Sequence, residues 1–271
     1  MRNKGFNLVF FGIDSFSNVV LNSLIDSPHS VKLVVCHYYD ESAFQQLNKT
    51  CINNDIPIIR VKTVNSEEVL DAVKKEAPDY CIIAHFERII KKELIAVPKH
   101  GFINLHPSLL PNYRGLAPQH YPIINGEKEV GITVHYIDEG TDTGDIILQK
   151  SYPLTDDMYV ADLHALWLKE YKSIMVEALE RVQEGADTIS QKGMEGTFYP
   201  KMKDEVYPLD PRWSVNTAYN WVRAMSLPYK GVSYGDMVIF RARIMKEGEV
   251  LDEDEKELQF SDGSLIAEWY E

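Results

Sequence analysis

Short apolar runs alternate with helix-compatible segments through the first half of the chain, and this alternation limits the possible folds more than any other feature. The apolar runs are rich in Val, Ile and Phe and cover residues 8–12, 31–37, 56–61, 79–85 and 101–106. Continuous apolar strands that alternate with helices are typical of a parallel sheet covered on both faces. The sequence therefore predicts an α/β fold with a doubly wound, mostly parallel, Rossmann-like sheet.

The middle of the chain continues this pattern. Two further strands are expected over residues 130–138 and 145–154. A long amphipathic pattern then predicts one helix over residues 158–185, which ends at Gly185.

The last part of the chain has a different composition. Glycine and proline punctuate residues 186–212, which indicates an extended connection. We expect a helix that begins at Ser214, and the acidic run 249–257 is interpreted as a solvated hairpin loop. Short antiparallel strands are expected over residues 237–244, 257–261 and 264–271. The predicted domains are therefore residues 1–195, and residues 196–271 as a linker plus a small α+β extension.

Charge and composition exclude several classes of protein. With 28 basic and 41 acidic residues the net charge is −13, so the overall field repels nucleic-acid phosphates. The three cysteines have no CxxC spacing and are expected to be reduced. The apolar run near the N-terminus is too short for a secretion signal, and no run is long enough to span a membrane. We expect a cytoplasmic protein that binds neither nucleic acid nor membrane.

Glycine and proline are concentrated in one window. No glycine lies between Gly12 and Gly101, whereas residues 101–144 hold six glycines and four prolines of the 28 in the chain. Irregular backbone of this kind can approach a ligand closely, and ligands of open parallel sheets bind at loops after the strands. We therefore expect the functional site in this window rather than a series of simple turns.

Several kinds of site are excluded by missing motifs. The first strand–helix junction holds a single glycine instead of GxGxxG, and no GxxxxGK[ST] occurs, which argues against a dinucleotide or ATP site. The eight histidines form no HExxH or HxxxH pair, so no metal is expected. GxSxG is also absent, which makes Ser108 a poor nucleophile.

Polar residues inside the window favour acyl-transfer chemistry. Asn104 and His106 lie two apart at the end of a predicted strand, and period-2 geometry places both on one face. The loop that follows the next strand supplies the acidic residues Asp138, Glu139, Asp142 and Asp145. An amide, an imidazole and a carboxylate can together stabilise an oxyanion and move a proton. From spacing alone, a structural role for the histidine is the simpler interpretation.

Two segments of the window resemble a known family. NLHPSLLPNYRG, followed by VHYIDEGTDTGDIILQ, resembles the signature of the 10-formyltetrahydrofolate-dependent formyltransferases. The resemblance covers roughly residues 6–155 and implies a catalytic triad of Asn104, His106 and Asp142. It also implies 10-formyltetrahydrofolate as the formyl donor and direct attack of an amine on the formyl carbon.

The same resemblance implies a folate pocket. AHFERII is similar to the loop whose backbone binds the pterin, which implies Phe86, Arg88, Ile89 and Ile90 as cofactor-binding residues. Asp138, Glu139 and Gly140 are implied as the opposite wall. Thr141 departs from the Leu or Ile of many members. A folate carries no phosphate to cradle, so the missing glycine-rich loop is no longer an objection.

The acceptor amine divides the family into branches. The short, non-basic C-terminal segment resembles the nucleotide-linked amino-sugar N-formyltransferases, which implies a dTDP-amino-dideoxyhexose for O-antigen or related glycans, and a homodimer. The alternative is a methionyl-tRNA formyltransferase, but residues 201–271 hold nine basic and fourteen acidic residues, a net of −5. A folate- or nucleotide-binding sensor without activity is disfavoured, because it would not need the triad.

Four residues are candidates for contacts with a nucleotide sugar. Tyr113 and Arg114 follow the first signature segment, and arginine offers a two-pronged fork to phosphate. Lys201 and Lys203 lie in a segment similar to the Tyr-Pro-Lys-Arg connection of the family, in which Met202 replaces the arginine. The alternative for both lysines is solvated linker charge. The C-terminal aromatic residues are interpreted as core or subunit interface in preference to base stacking.

Overall fold

The structure, a computed structural model, describes residues 5–38, 41–116, 118–253 and 255–271. These residues form two compact units that interleave along the chain. The first unit takes the described residues of Met1–Arg114, Gly131–Lys150 and Trp167–Thr197, and the second takes those of Gly115–Val130, Ser151–Leu166 and Phe198–Glu271. These units divide the chain at several places. The domain boundary that the sequence predicts at residue 195 stays a prediction.

The described residues form fourteen strands and eight helices. In chain order they are β1 (Asn7–Phe11), α1 (Ser15–Ile25), β2 (Ser30–His37), α2 (Glu41–Asn53), β3 (Ile58–Val61), α3 (Glu67–Glu76), β4 (Tyr80–Ala84), α4 (Lys92–Ile95), β5 (Phe102–His106), β6 (Arg114–Gly115), α5 (Tyr121–Ile124), β7 (Glu129–Tyr136), β8 (Ile146–Pro153), α6 (Val160–Glu170), α7 (Ile174–Gln183), β9 (Phe198–Tyr199), β10 (Tyr207–Pro208), α8 (Val215–Met225), β11 (Val232–Tyr234), β12 (Met237–Ile244), β13 (Lys256–Phe260) and β14 (Gly263–Tyr270).

The main sheet of the first unit has the strand order β3-β2-β1-β4-β5-β7-β8. β1 to β4 are parallel to their neighbours in this sheet, whereas β5 is parallel to β4 and antiparallel to β7. β1 and β4 are buried along almost their whole length, because apolar side chains leave both faces of each strand. The predicted fold class, a mostly parallel α/β sheet with a small C-terminal α+β part, is confirmed.

Helix α1 begins where its sequence supplies a cap. The Asp14 carboxylate accepts a hydrogen bond from the Ser17 amide, and the Ser17 hydroxyl oxygen accepts one from the Asp14 amide. This reciprocal capping box satisfies donors that the first turn leaves unpaired. The buried Val20, Leu21 and Leu24 then form the core-facing side of the helix.

The prediction of one long helix over residues 158–185 is wrong. The structure divides it into α6 and α7, separated by residues 171–173. The amides of Lys172 and Ser173 donate to the carbonyls three residues earlier, which tightens the backbone and interrupts the α-helical ladder. Tyr171, which is fully buried, lies at this break.

The C-terminal sheet of the second unit has the order β10-β11-β12-β14-β13. β12 and β13 both pair antiparallel with β14, so they are not neighbours, and the hairpin predicted around the acidic run 249–257 is wrong. The tight hairpin joins β13 to β14 instead, with Phe260 opposite Gly263. Residue 254 of the acidic run lies outside the described residues.

Helix α8 covers the core of the second unit. It starts after Ser214, as predicted, and the Ser214 hydroxyl accepts a hydrogen bond from the Thr217 amide. Ala218 and Val222 are fully buried in a cluster that includes residues of β11, β12 and β14. The side chains that pack against this cluster include Trp213, Tyr219, Trp221, Tyr229 and Tyr234. These five aromatic residues are partly buried against the core, as the sequence favours, whereas Trp269 is 47% exposed.

Two further findings concern the cysteines and the length and polarity of the helices. Cys36, Cys51 and Cys81 are free and buried. Within the part of the chain that the structure describes, every helix is too short or too polar to cross a bilayer.

Candidate active site

The pairing of β5 with β7 gathers the polar residues of the glycine-rich window. Asn104 and His106 lie in the C-terminal half of β5, and His135 of β7 lies directly opposite Asn104. Asp142 follows in the loop between β7 and β8. The structure thus brings together all three residues that the resemblance implies as a triad, and adds a fourth, His135.

Short distances link these four side chains. The Asn104 Nδ2 lies 3.1 Å from the His135 Nε2 and 3.5 Å from the Asp142 Oδ1. The other carboxylate oxygen, Oδ2, lies 3.8 Å from the His106 Nδ1. The Asp142 carboxylate therefore lies beside both the amide and the imidazole.

Backbone carbonyls determine which ring nitrogens carry protons. His106 Nε2 lies 2.8 Å from the Tyr113 carbonyl, and His135 Nδ1 lies 2.7 Å from the Tyr136 carbonyl. A carbonyl oxygen only accepts, so each of these nitrogens is assigned as the donor. In the neutral rings, His135 Nε2 then accepts from Asn104, and His106 Nδ1 presents its lone pair to Asp142.

Burial controls the charge of the central imidazole. His106 is 5% exposed, and burial lowers its pKa, since a protonated ring loses solvation in the interior. The Asp142 carboxylate and the Tyr113 carbonyl both oppose this shift, because each raises the pKa of His106. His106 is therefore neutral at neutral pH, beside a carboxylate that would favour its protonation.

The proposed folate loop after β4 is partly buried and partly exposed. Phe86 and Ile90 belong to the core of the first unit, while Arg88 is exposed and the Ile89 side chain is 81% exposed. Asn65 holds the loop, because its amide donates to the Ile89 carbonyl and its oxygen accepts from the Lys91 amide. The side chains of Phe86 and Ile90 thus anchor the loop, and Arg88 and Ile89 are its exposed residues.

The opposite loop is exposed and has its own internal order. Asp138, Glu139 and Gly140 are all exposed. Asp138 Oδ1 accepts from the Gly140 amide at 3.0 Å and from the Thr143 hydroxyl at 2.6 Å. These bonds shape the turn that leads to Asp142.

The residues expected to bind the acceptor are divided between the two units. Tyr113 and Arg114 belong to the first unit, where the Tyr113 amide donates to the Thr197 hydroxyl. Lys201 and Lys203 belong to the second unit and are exposed, and Lys203 forms an ion pair with Glu205 at 3.7 Å. The alternative interpretation of both lysines as solvated charge stays open.

A cavity of about 610 Å³ lies beside the loop that carries Asp142, within the first unit. Its lining includes Thr143, the segment 190–194 and two charges of each sign, from Arg114, Lys192, Asp138 and Asp145. Among the described residues, no group of three or more His, Cys, Asp or Glu is arranged to hold a metal ion.

His135 could not be selected from the sequence. Its place in the network depends on the antiparallel register of β7 against β5, and β6 and α5 separate these two strands along the chain. The only signal in the sequence is the alternation along β7, which places Thr133 and His135 on one face.

Known proteins are similar to this chain in sequence and in fold. A model of the formyl transferase family matches residues 7–179. The methionyl-tRNA formyltransferase of Clostridium beijerinckii is 31% identical over 252 residues, which cover 89% of this chain and 81% of that protein. The methionyl-tRNA formyltransferase of Clostridium acetobutylicum is also 31% identical, with 96% of this chain and 89% of that protein covered.

Solved structures of sugar-modifying enzymes share the fold over nearly the whole chain. WlaRD, a sugar 3N-formyl transferase solved in the presence of dTDP and 5-N-formyl-THF, superimposes with a TM-score of 0.76 at 22% identity, covering 96% of both chains. The N-formyltransferase of Helicobacter canadensis, in complex with folinic acid and dTDP-3-aminofucose, gives a TM-score of 0.77 at 21% identity, covering 97% of this chain and 99% of the other. Since the family model spans more than half of its residues, the chain belongs to the formyl transferase family.

Proposed function

We propose that the protein transfers the formyl group of 10-formyltetrahydrofolate to the amine of a nucleotide-linked amino sugar. The observation that carries the proposal is the convergence of Asn104, His106 and Asp142 at the end of β5. Membership of the formyl transferase family supports the reaction class, and formyl-folate ligands in two structural neighbours support the donor.

The Asn104 amide would stabilise the oxyanion that forms when the amine attacks the formyl carbon. One of its two N–H groups is donated to His135, which fixes the orientation of the amide. The other is directed toward the Asp142 Oδ1, 3.5 Å away, and would be donated to the oxyanion when the substrates bind. A donor fixed in advance stabilises developing charge without reorganisation during the reaction.

Asp142 and His106 would move the proton. The new C–N bond forms between the amine nitrogen and the formyl carbon, and the amine gives up a proton to the Asp142 carboxylate. His106 Nδ1, 3.8 Å from that carboxylate, is placed to share the proton and so to strengthen the positive field at the oxyanion. When the bond between the formyl carbon and the folate nitrogen breaks, the proton passes to that nitrogen, which leaves the formylated amine and tetrahydrofolate as products.

The loop after β4 supports a folate site. A pterin presents an amide-like edge and a flat apolar face, so it needs backbone groups and an apolar contact. Residues 86–90 offer the apolar contact, because Ile89 is exposed and Phe86 and Ile90 hold the loop against the core. Asp138, Glu139 and Gly140 are proposed as the second wall.

Charge favours a nucleotide sugar over tRNA as the acceptor. A tRNA is held by its phosphates, and this requires basic surface. The chain carries a net charge of −13, and residues 201–271 alone contribute −5. A cavity of about 610 Å³ is within the usual range for a small ligand. We assign a diphosphate to its two cations, Arg114 and Lys192, which share the lining with Asp138 and Asp145. Lys201 and Lys203, the dTDP carrier and a homodimer remain part of the same proposal.

The second candidate is a methionyl-tRNA formyltransferase. It is favoured by the two clostridial relatives of that name at 31% identity, whereas the sugar enzymes are 21–22% identical in sequence. The opposing argument is the acidic charge, which would repel the phosphates of a tRNA.

The experiment is an acceptor panel. Wild-type protein is mixed with 10-formyltetrahydrofolate and either nucleotide-linked amino sugars or charged initiator tRNA, and tetrahydrofolate release is followed. We expect turnover with at least one nucleotide amino sugar. Turnover with the tRNA alone would select the second candidate, and no turnover with either class would remove the proposal.

A further inference from the structure

Asp142 has a backbone conformation that a residue with a side chain rarely adopts. Its φ is 53°, in the left-handed region. Such a conformation persists where the surrounding structure holds it in place. The neighbouring Gly144 is also constrained, because a Cβ at that position would lie 1.9 Å from the Tyr136 carbonyl oxygen. The loop that carries the proposed catalytic carboxylate is therefore held by contacts outside itself.

Gln191 supplies the contacts to this loop. Its Nε2 donates to the Asp142 carbonyl at 3.1 Å and to the Gly144 carbonyl at 2.7 Å. Its Oε1 accepts from the Arg114 Nη2 at 3.0 Å. The residue is 3% exposed, so these hydrogen bonds face little competition from water.

The backbone around Gln191 is itself anchored. Ile189 forms an antiparallel bridge with Ile146 at the start of β8, with N–O distances of 2.8 and 2.9 Å. The Met194 amide then donates to the Gln191 carbonyl and closes a turn. The side chain therefore reaches the catalytic loop from a fixed position on the sheet.

We propose that Gln191 is a positioning residue of the formyl transfer reaction. It holds Asp142 in the left-handed conformation that places its carboxylate beside Asn104 and His106. This inference rests on the catalytic role proposed for Asp142. Gln191 also connects the loop to Arg114, which lines the adjacent cavity. It would therefore fix the position of the proton-accepting carboxylate relative to a ligand in that cavity.

Only an amide side chain of this length fits all three partners. Glutamate would keep an acceptor for Arg114 but would direct carboxylate oxygens at two carbonyls. Methionine would fill a similar volume and make none of the three hydrogen bonds. The two variants therefore separate the bonds to the catalytic loop from the bond to Arg114.

The test compares Gln191→Glu and Gln191→Met with the wild type in steady-state kinetics and in thermal melting. Misplacing a catalytic group by about 1 Å costs on the order of 100-fold, so we expect kcat to fall by roughly 10- to 100-fold in both variants. The KM for the formyl donor should stay within about threefold. The pH–rate profile should also change, because a displaced carboxylate no longer acts on His106.

Gln149→Met is the matched control. The Gln149 Nε2 also donates to two acceptors in the first unit, the Leu110 carbonyl and the Thr133 hydroxyl, but it does not touch the catalytic loop. Its kcat should stay within about threefold of wild type. Equal losses of kcat in the Gln149 and Gln191 variants, or wild-type kcat in both Gln191 variants, would overturn the inference. An inactive wild type would instead count against the proposed function.

Discussion

The amide of Asn104 and the imidazole of His135 lie directly opposite each other on antiparallel strands, with 3.1 Å between Nδ2 and Nε2. The Tyr136 carbonyl accepts the proton of His135 Nδ1, so Nε2 is the acceptor in this pair. An asparagine amide can bind in two orientations that place nitrogen and oxygen oppositely. His135 therefore selects the orientation in which the remaining N–H of Asn104 is directed toward the Asp142 carboxylate.

Replacement of His135 by phenylalanine should lower kcat by about tenfold. The variant keeps a planar ring but removes the acceptor, and the loss of one hydrogen bond of roughly 1–1.5 kcal/mol corresponds to about that factor. The measurement is steady-state kinetics with the acceptor found in the panel. An unchanged kcat would show that the amide orientation does not depend on this histidine.

The three proposed catalytic residues should each be needed for turnover. Asn104→Ala removes the oxyanion donor, and loss of one such donor typically costs about 10²–10³ in kcat. His106→Ala and Asp142→Ala interrupt the proton path and should lose most turnover as well. Circular dichroism and binding of folinic acid are the controls for folding. Near-normal rates in all three folded variants would contradict the assignment.

The sequence predicts where the candidate site lies better than it predicts which residues hold the site together. Asn104 and His106 could be placed on one face because the strand period is two, and the end of β5 was expected to be the site edge. His135 and Gln191 could not be chosen, since each depends on a pairing of distant segments: β7 against β5, and Ile189 against Ile146. Local patterns carry no information about such pairings.

The two wrong predictions, the long helix over residues 158–185 and the hairpin around residues 249–257, have the same origin. The amphipathic pattern over residues 158–185 continues through the break at residues 171–173, because both helices bury apolar side chains in the same repeat. Likewise, β12 and β13 are consecutive, but β14 returns between them, and nothing local to residues 249–257 indicates this. Only the tertiary pairing decides both cases.

Salt dependence should separate the two acceptors. A protein that makes 6–10 phosphate contacts with a nucleic acid loses on the order of 10³–10⁵ in affinity between 50 and 200 mM salt. We expect the KM for a nucleotide amino sugar to rise by about threefold or less over this range, because a diphosphate offers few charges to screen. A loss of several orders of magnitude would contradict a nucleotide-sugar acceptor and favour tRNA.

His120 should make the second unit less stable in acid. It is 2% exposed, its Nδ1 donates to the Ala224 carbonyl at 2.8 Å, and its ring packs edge-on against Tyr229 at 4.2 Å. Burial lowers its pKa from 6.5 to about 4, an effect that the Ala224 carbonyl partly opposes. The unfolded chain therefore binds a proton below about pH 6.5 that the folded chain refuses until about pH 4. The free energy of unfolding should fall as the pH decreases through this window, by about 3 kcal/mol in total, at about 1.4 kcal/mol per pH unit.

The measurement is urea denaturation of wild type and His120→Asn at pH 7.5 and pH 5. Three of the four tryptophans, Trp213, Trp221 and Trp269, lie in the second unit, so fluorescence follows its unfolding. The variant removes the titrating group, and other ionisable residues contribute equally to both proteins. Wild type should therefore lose about 2 kcal/mol more than the variant between the two pH values. Equal losses would mean that His120 takes up its proton equally well in the folded and unfolded chains, contrary to the depressed pKa that its burial gives.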